Sequence, residues 1–502
     1  MAAVHVSPQL QRLFTWAEKE GVLWPKLAYP VRFDPGYLGS QAAADIGPNE
    51  AIVTVPQKLL LTSNHIEAGE LAEVVRDHPE LFSRQHPWYE DLRLFACLFH
   101  EKGKGESSFW APFVAALPQE CDSVLAWSEA ELAELQDEVL SVEVQSRRKE
   151  LETHWRTFSE GLRTYPHLFP PDLLSLEQFT WAHWIVSSRS FGTKVPGLAL
   201  GPIAEFLNHS IGSTYYTYGS ATLLQSSPIP AQDRDEFLRD SQLSTPASYE
   251  LLVLAAKATQ ALSGDVFTSL SHRARELDAM RFLQILTAAW QKPEIQTSED
   301  AVLRIVTGPE QTYKMGEELY LNYGPYSNRQ LLIYYGFALP QDPYAYEYVV
   351  VPLASILSEA KLEYVRSFQR TEKWAFKVKE GELCMSLLRT LRAVLWQGDN
   401  TAACFRPVDL DLELQVLARA GALLQTALLR FPTTAEQDRA LAEGPLSLRA
   451  TFAVQYRVQR KQVLSTQIHL LSLLEAHIAS LHCTPSASTL LPASLQSYLC
   501  EL

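Results

Sequence analysis

In this chain of 502 residues the β signal comes in short pieces that lie far apart, and this spacing limits the folds open to it. Ala51 to Val55 (AIVTV), Ser213 to Tyr218, Val302 to Val306 and Glu318 to Tyr323 read as strands, rich in β-branched and aromatic residues. Between the first two lies a long helical run, from Leu71 to roughly Leu200. A sheet built from these strands must therefore pair segments that are remote in sequence, with the helices leaving it as an insert. After about Pro343 the pattern is helical to the end, and the turn-rich QDPYAY at Gln341 to Tyr346 marks the boundary. The expected class is α+β. Residues 1–342 form a β-containing domain with a helical insert at about 60–200 and a further insertion at about 226–300, and residues 343–502 form an all-α domain.

Local signals support this outline. Leu10 to Glu20 is a short amphipathic helix stopped by Gly21, and Ser175 is placed to cap a helix over Glu177 to Phe191. Phe109 to Leu117 and Glu129 to Leu140 read as helical. So do Leu251 to Leu262 and Arg273 to Trp290 within the insertion, where they follow a Pro, Ser and Asp-rich stretch from Ser226 to Pro246. Leu412 to Leu429 and Leu448 to Ile478 are long amphipathic patterns. No repeat of fixed period is evident.

Composition narrows the function. At 47 % hydrophobic and 20 % charged, the chain can bury a large core. Its net charge of −15 disfavours phosphate backbones as ligands and mildly favours a basic protein partner. The six cysteines include no CxxC and no Cys/His cluster, so no metal site is expected. The opening segment lacks a charged-then-apolar pattern, and apolar runs such as Leu251 to Ala256 fall far short of the ~20 residues that span a bilayer. The expectation is a cytoplasmic or nuclear protein with reduced thiols, monomeric, without membrane or nucleic-acid partners.

Two segments carry chemical possibilities. Gly201 to Ser210 (GPIAEFLNHS) ends an apolar stretch in Asn208 and His209, and Met315 to Phe337 (MGEELYLNYGPYSNRQLLIYYGF) places Tyr323 and Tyr335 just ahead of glycines. Taken singly, the first reads equally well as a capped turn and the tyrosines as core aromatics.

In this order, however, the segments resemble the SET-domain protein methyltransferases, in the branch typified by the Rubisco large-subunit lysine methyltransferase. Gly36-Tyr37-Leu38-Gly39 with Ala42 to Pro56 is similar to the family's glycine loop and first strands, and Phe109 to Pro118 to its helical-insert motif. Ser188 to Phe191 resembles its Ser-Arg-x-Phe, and Ala204 to His209 its Ala-Asp-x-x-Asn-His. Tyr323-Gly324 through Ser327-Asn328 to Tyr335-Gly336-Phe337 matches its most specific signature. Thr433-Thr434, Asp438, Tyr456-Arg457 and Lys461 resemble its helical substrate-binding domain.

The resemblance implies a SET-domain β fold followed by an all-α substrate-binding domain, with S-adenosylmethionine as cofactor and transfer of its methyl group to a lysine of a non-histone protein substrate. Tyr323 and Tyr335 would be the catalytic tyrosines walling the lysine channel. Gly36, Tyr37, Leu38, Glu205, Asn208, His209 and Tyr323 would surround the cofactor, Arg189 would pair with its carboxylate, and Phe337 would stack on adenine. The acceptor amine must be neutral, which at neutral pH costs about 4 to 5 kcal/mol from a pKa near 10.4. An apolar aromatic channel lowers that cost by disfavouring the ammonium.

Three features depart from the pattern. Glu205 stands where the family has Asp, the glycine loop reads Gly-Tyr-Leu-Gly, and 115 residues separate Asn208 from Tyr323, more than twice the family's usual interval. Two other readings follow from the same resemblance. One is a protein-histidine methyltransferase, disfavoured because Tyr335 is kept. The other is a non-catalytic binding module.

Overall fold

A computed structural model describes residues 4–192, 194–221, 300–324, 326–340, 348–352, 375–379, 383–396 and 410–483. The expected helices at Leu251 to Leu262 and Arg273 to Trp290, the insertion at about 226–300 and the boundary at Gln341 to Tyr346 lie outside these residues.

The helices are α1 (Pro8–Glu20), α2 (Leu71–Asp77), α3 (Pro79–Phe82), α4 (Tyr89–Lys104), α5 (Ala111–Ala116), α6 (Glu129–Ala133), α7 (Glu138–Leu162), α8 (Leu176–Arg189), α9 (Asn328–Tyr334), α10 (Met385–Leu395), α11 (Leu410–Leu429), α12 (Ala435–Ala442) and α13 (Leu448–Cys483). The strands are β1 (Leu27–Arg32), β2 (Leu38–Ala42), β3 (Ala51–Pro56), β4 (Leu61–Thr62), β5 (Ala199–Leu200), β6 (Asn208–His209), β7 (Tyr215–Ser220), β8 (Ala301–Val306), β9 (Glu318–Leu321), β10 (Tyr348–Pro352) and β11 (Ala375–Lys379).

The described residues fall into two compact units, one of residues 1–121 and 147–325, the other of 122–146 and 326–502. Contacts within the second unit account for this grouping. Asp137 pairs with Arg460 at 3.2 Å and accepts from Tyr456 Oη at 2.6 Å, while Arg457 donates to Glu134 and Arg449 to Glu131. The segment 122–146 is thus tied to α13. Residues after 325 are tied in the same way, with Arg329 paired to Asp137 and Glu143.

The first unit holds the sheets that position the site. One has the order β1-β2-β9-β6, with β6 parallel to β9 so that Asn208 lies opposite Tyr320 and His209 opposite Leu321. A second has the order β3-β8-β7, and β4 pairs with β5. Ile52, Val53 and Val55 of β3 and Leu303 and Ile305 of β8 are buried, which is why these β-branched runs read as strands in the sequence. The start of β9 also agrees with expectation, but the strand stops at Leu321. Asn322 Oδ1 accepts from the Gly324 N–H at 2.9 Å, a side-chain turn that ends the ladder before Tyr323. Helix α8 begins as expected, with Ser175 Oγ accepting from the Gln178 N–H.

The helix expected over Glu129 to Leu140 is broken. Gln136 takes φ 51°, and Asp137 Oδ1 caps the next helix at the Leu140 N–H. Gln136 Nε2 donates to Thr433 Oγ1 at 2.9 Å, so a partner remote in sequence sustains the left-handed turn.

Among its described residues the second unit is mostly helical, with β10 paired antiparallel to β11. Its core joins Leu387, Leu391, Val416, Leu424, Leu464 and Leu474. By length and composition α11 is apolar enough to cross a membrane, which the sequence reading did not anticipate. In the structure its Val416, Leu417, Ala420 and Leu424 face this core, and its Glu413 forms a buried pair with Arg392 at 2.8 Å.

Candidate active site

The site is built where β6 meets the end of β9. His209 is 3 % exposed, and its Nδ1 accepts from the Tyr323 backbone N–H at 3.0 Å. An amide N–H can only donate, so Nδ1 is the acceptor and the ring is neutral, with its proton on Nε2. Burial drives the His209 pKa down to about 4. The two rings stack, with centroids 5.0 Å apart at 26°.

The Tyr323 hydroxyl donates to Leu207 O at 2.6 Å. Burial pushes its pKa up to about 12, against the nearby Arg189 cation and with the help of the Glu205 charge. The phenol therefore stays protonated at neutral pH and serves as an orienting donor and a ring wall, not as a base. Tyr29 stacks on Phe206 at 3.9 Å and 7°, and Ser40 Oγ donates to Phe206 O, fixing the segment that leads into Asn208.

Arg189 ends α8. Its Nη1 lies 3.4 Å from Glu205 O and 3.5 Å from Glu205 Oε2, with the guanidinium 5.8 Å from the Trp184 ring centroid. The Glu205 side chain is buried, and desolvation raises its pKa against the pull of Arg189. Arg189 Nε is buried without an acceptor. An orphaned guanidinium donor beside so long an ion pair leaves room for an anionic ligand, and this fits a cofactor that ends in a carboxylate.

The glycine loop leads into β2, which pairs with β9. Gly36 has φ 131°, a conformation open chiefly to glycine, and the Phe33 N–H bonds Tyr37 O at 3.0 Å to close the turn. Asn208 Nδ2 donates to Leu38 O and to Glu318 Oε1, both at 3.0 Å. With its side chain thus committed, Asn208 offers a ligand its backbone, and β6 is an edge strand of its sheet among the described residues. A cavity of about 340 Å³ opens on the face of β9 that bears Glu318, Tyr320 and Asn322.

The structure therefore brings Tyr37, Leu38, Arg189, Glu205, Asn208, His209 and Tyr323 into one unit, with Gly36 at the turn. Tyr335 and Phe337 belong to the second unit. There Tyr335 lies 5.6 Å from the Tyr326 ring and 6.1 Å from that of Phe337, and Phe337 lies 6.5 Å from Phe452. Sequence reasoning missed Glu318 and Tyr320. Their signal was the period-2 alternation of Glu318, Tyr320 and Asn322 against Leu319 and Leu321, which sets the three polar residues on one face. Among the described residues no group of three or more His, Cys, Asp or Glu side chains is placed to hold a metal ion.

Comparison with known proteins gives concordant results. The Rubisco LSMT substrate-binding family model matches residues 355–464. The ribulose-1,5 bisphosphate carboxylase/oxygenase large subunit N-methyltransferase of Pisum sativum is 32 % identical over 42 % of this chain, a match that spans 41 % of the pea protein. The [fructose-bisphosphate aldolase]-lysine N-methyltransferase of Arabidopsis thaliana is 25 % identical over 91 % of this chain and 81 % of its own length. An actin-histidine N-methyltransferase of Rattus norvegicus is 24 % identical over 91 % of this chain and 67 % of its own. Among solved structures, the SET domain of LSMT bound to lysine and AdoHcy superposes with a TM-score of 0.63 at 22 % identity, covering 95 % of this chain and 94 % of that one.

Proposed function

We propose that this chain, which has the fold of the SET-domain methyltransferases and a Rubisco LSMT-type substrate-binding domain, is an S-adenosylmethionine-dependent protein-lysine N-methyltransferase. The observation that carries the reading is the clamping of Tyr323 at both ends, by His209 at its backbone and by Leu207 O at its hydroxyl, beside an Arg189 that has a donor to spare. S-adenosylmethionine would supply an activated methyl group on a sulfonium. The protein's part is to bind, to orient and to exclude water.

Arg189 holds the cofactor's carboxylate with its planar fork. The outer edge of Asn208–His209 and the turn at Gly36 to Leu38 offer backbone groups. Tyr323 walls the lysine channel and favours the neutral amine by keeping water away. Because the Tyr323 phenol is protonated, the proton given up by the acceptor ammonium leaves to solvent.

The Arabidopsis relative supports a lysine acceptor, as does retention of Tyr335 in the Tyr-Gly-Phe element. The rat actin-histidine relative supports histidine as the second reading. The partner is a protein substrate, and we extend the proposal to a monomeric enzyme of the cytoplasm or nucleus, in keeping with the free, buried thiol of Cys97. The test is to incubate the purified chain and its Tyr323→Phe variant with labelled S-adenosylmethionine and cell extract, then map the modified residues by mass spectrometry. Methyl-lysine that depends on Tyr323 is the expected result. Methyl-histidine would select the second reading, and cofactor binding without transfer would overturn catalysis.

A further inference from the structure

Three side-chain donors from three elements converge on a single carboxylate in the first unit. Glu318, at the start of β9, accepts on Oε2 from Tyr37 Oη at 2.8 Å and from Tyr320 Oη at 2.7 Å. On Oε1 it accepts from Asn208 Nδ2 at 3.0 Å, and the same amide reaches Leu38 O. The glycine loop, the Asn-His strand and the strand that runs on to Tyr323 are thereby tied at one point. Gly39 shows how close the approach is, since a Cβ there would stand 2.7 Å from both Asn208 Nδ2 and Glu318 Oε1.

The chemistry suits the geometry. An ionised carboxylate has about four acceptor sites and no donor, so it can satisfy three donors at once through charge-assisted bonds. No apolar side chain could do so, and a carboxamide would turn one of its two ends into a donor. The turn is closed within itself by the Phe33 and Gly36 N–H groups, and Glu318 is what ties it to Asn208 through side chains, with Leu38 38 % exposed.

We propose that Glu318 is a positioning residue for the cofactor, its carboxylate holding the Tyr37–Leu38 turn against Asn208 so that the backbone groups of both are in place before the cofactor arrives. The inference rests on the methyl-transfer reading above. A loop that must be ordered on binding charges that ordering against affinity, whereas a loop already fixed does not. Loss of the anchor therefore weakens cofactor binding and raises the cofactor KM, and leaves kcat with saturating cofactor much less affected.

The experiment is calorimetric titration of S-adenosylmethionine into the full chain and into its Glu318→Leu and Glu318→Gln variants, with melting temperatures measured alongside. We expect Kd to rise about tenfold for Glu318→Leu and by a smaller factor, above twofold, for Glu318→Gln. If both variants fold and bind within twofold of the unaltered protein, the inference is overturned while the functional reading stands. Should the leucine variant fail to fold, the glutamine variant decides by the same twofold threshold. If the unaltered chain does not bind the cofactor, the functional reading falls and takes the inference with it.

Discussion

His209 and Tyr323, 114 residues apart in sequence, are joined by a 3.0 Å hydrogen bond from the tyrosine's backbone N–H to the imidazole Nδ1. The same tyrosine is held at its far end by Leu207 O, so its ring has no freedom to swing. Tyr323→Phe keeps the backbone bond and the stacking but loses the hydroxyl. Transfer should fall by about 10²-fold or more, in line with the loss of an orienting donor at a reacting centre. Stability should fall by about 1 kcal/mol for the unsatisfied Leu207 carbonyl. Initial rates and urea midpoints check the two effects, and S-adenosylmethionine affinity should move less than threefold.

Arg189 and Glu205 form a long pair, 3.5 Å apart, in which only the carboxylate is fully enclosed. Removing the cation strands a buried acid, whereas neutralising the acid leaves a partly exposed cation that water can solvate. Arg189→Ala should therefore cost about 3 kcal/mol, and Glu205→Gln less than 1 kcal/mol. Arg189→Lys keeps the charge but loses the planar fork, and should weaken cofactor binding by about tenfold. Equal destabilisation by Arg189→Ala and Glu205→Gln would show that the pair does not hold the asymmetry its burial implies.

Much of the fold is legible in the sequence because local signals and burial agree there. The run Ala51 to Val55 is β-branched and lands in a buried strand, and Ser175 caps the helix it was placed to cap. The legibility ends where remote partners decide. Nothing local distinguishes Asn208-His209 as a strand from a capped turn, since its pairing partner is Tyr320-Leu321. Gln136 breaks a helix-forming stretch because Thr433 and Lys461 hold its side chain. The site shows the same division. Tyr323, Arg189, Asn208 and His209 carry motif signals, but Glu318 is one acid among many until the fold brings Tyr37 and Asn208 to it.

Acid should unfold this chain earlier than its carboxylates alone would require. His209 and His183 are each driven down to about 4 by burial, His183 with added repulsion from Arg147 and with its Nδ1 unpartnered against Trp88. Unfolded, both titrate near 6.5. Between those values the unfolded chain binds more protons, so the stability present above pH 6.5 is lost as pH falls toward 4. The expected loss is on the order of 3 kcal/mol for each histidine. Urea midpoints measured from pH 7.5 to 4.5 should drop, and His183→Phe should flatten part of that drop. A midpoint that stays level across this range would show that neither ring is held neutral.

In the second unit, Asp438 is fully buried and pairs with both Lys461 and Arg457, which are themselves almost wholly enclosed. Thr433 adds a donor to the same carboxylate at 2.7 Å, and the Lys461 ammonium lies 4.9 Å from the Phe431 ring centroid. Desolvation lowers the Lys461 pKa while Asp438 works to restore it. Removing the acid leaves Arg457 with Glu134, and leaves Lys461 with hydrogen bonds to the neutral Gln136 and Thr433 and the attraction of Glu436. Asp438→Ala should cost about 4 kcal/mol. The double variant Asp438→Ala, Lys461→Met removes one stranded charge and should recover at least about 1 kcal/mol of that loss. Chemical unfolding of the single and double variants measures the coupling, and a double variant no more stable than the single one would rule out a stranded charge as the source of the loss.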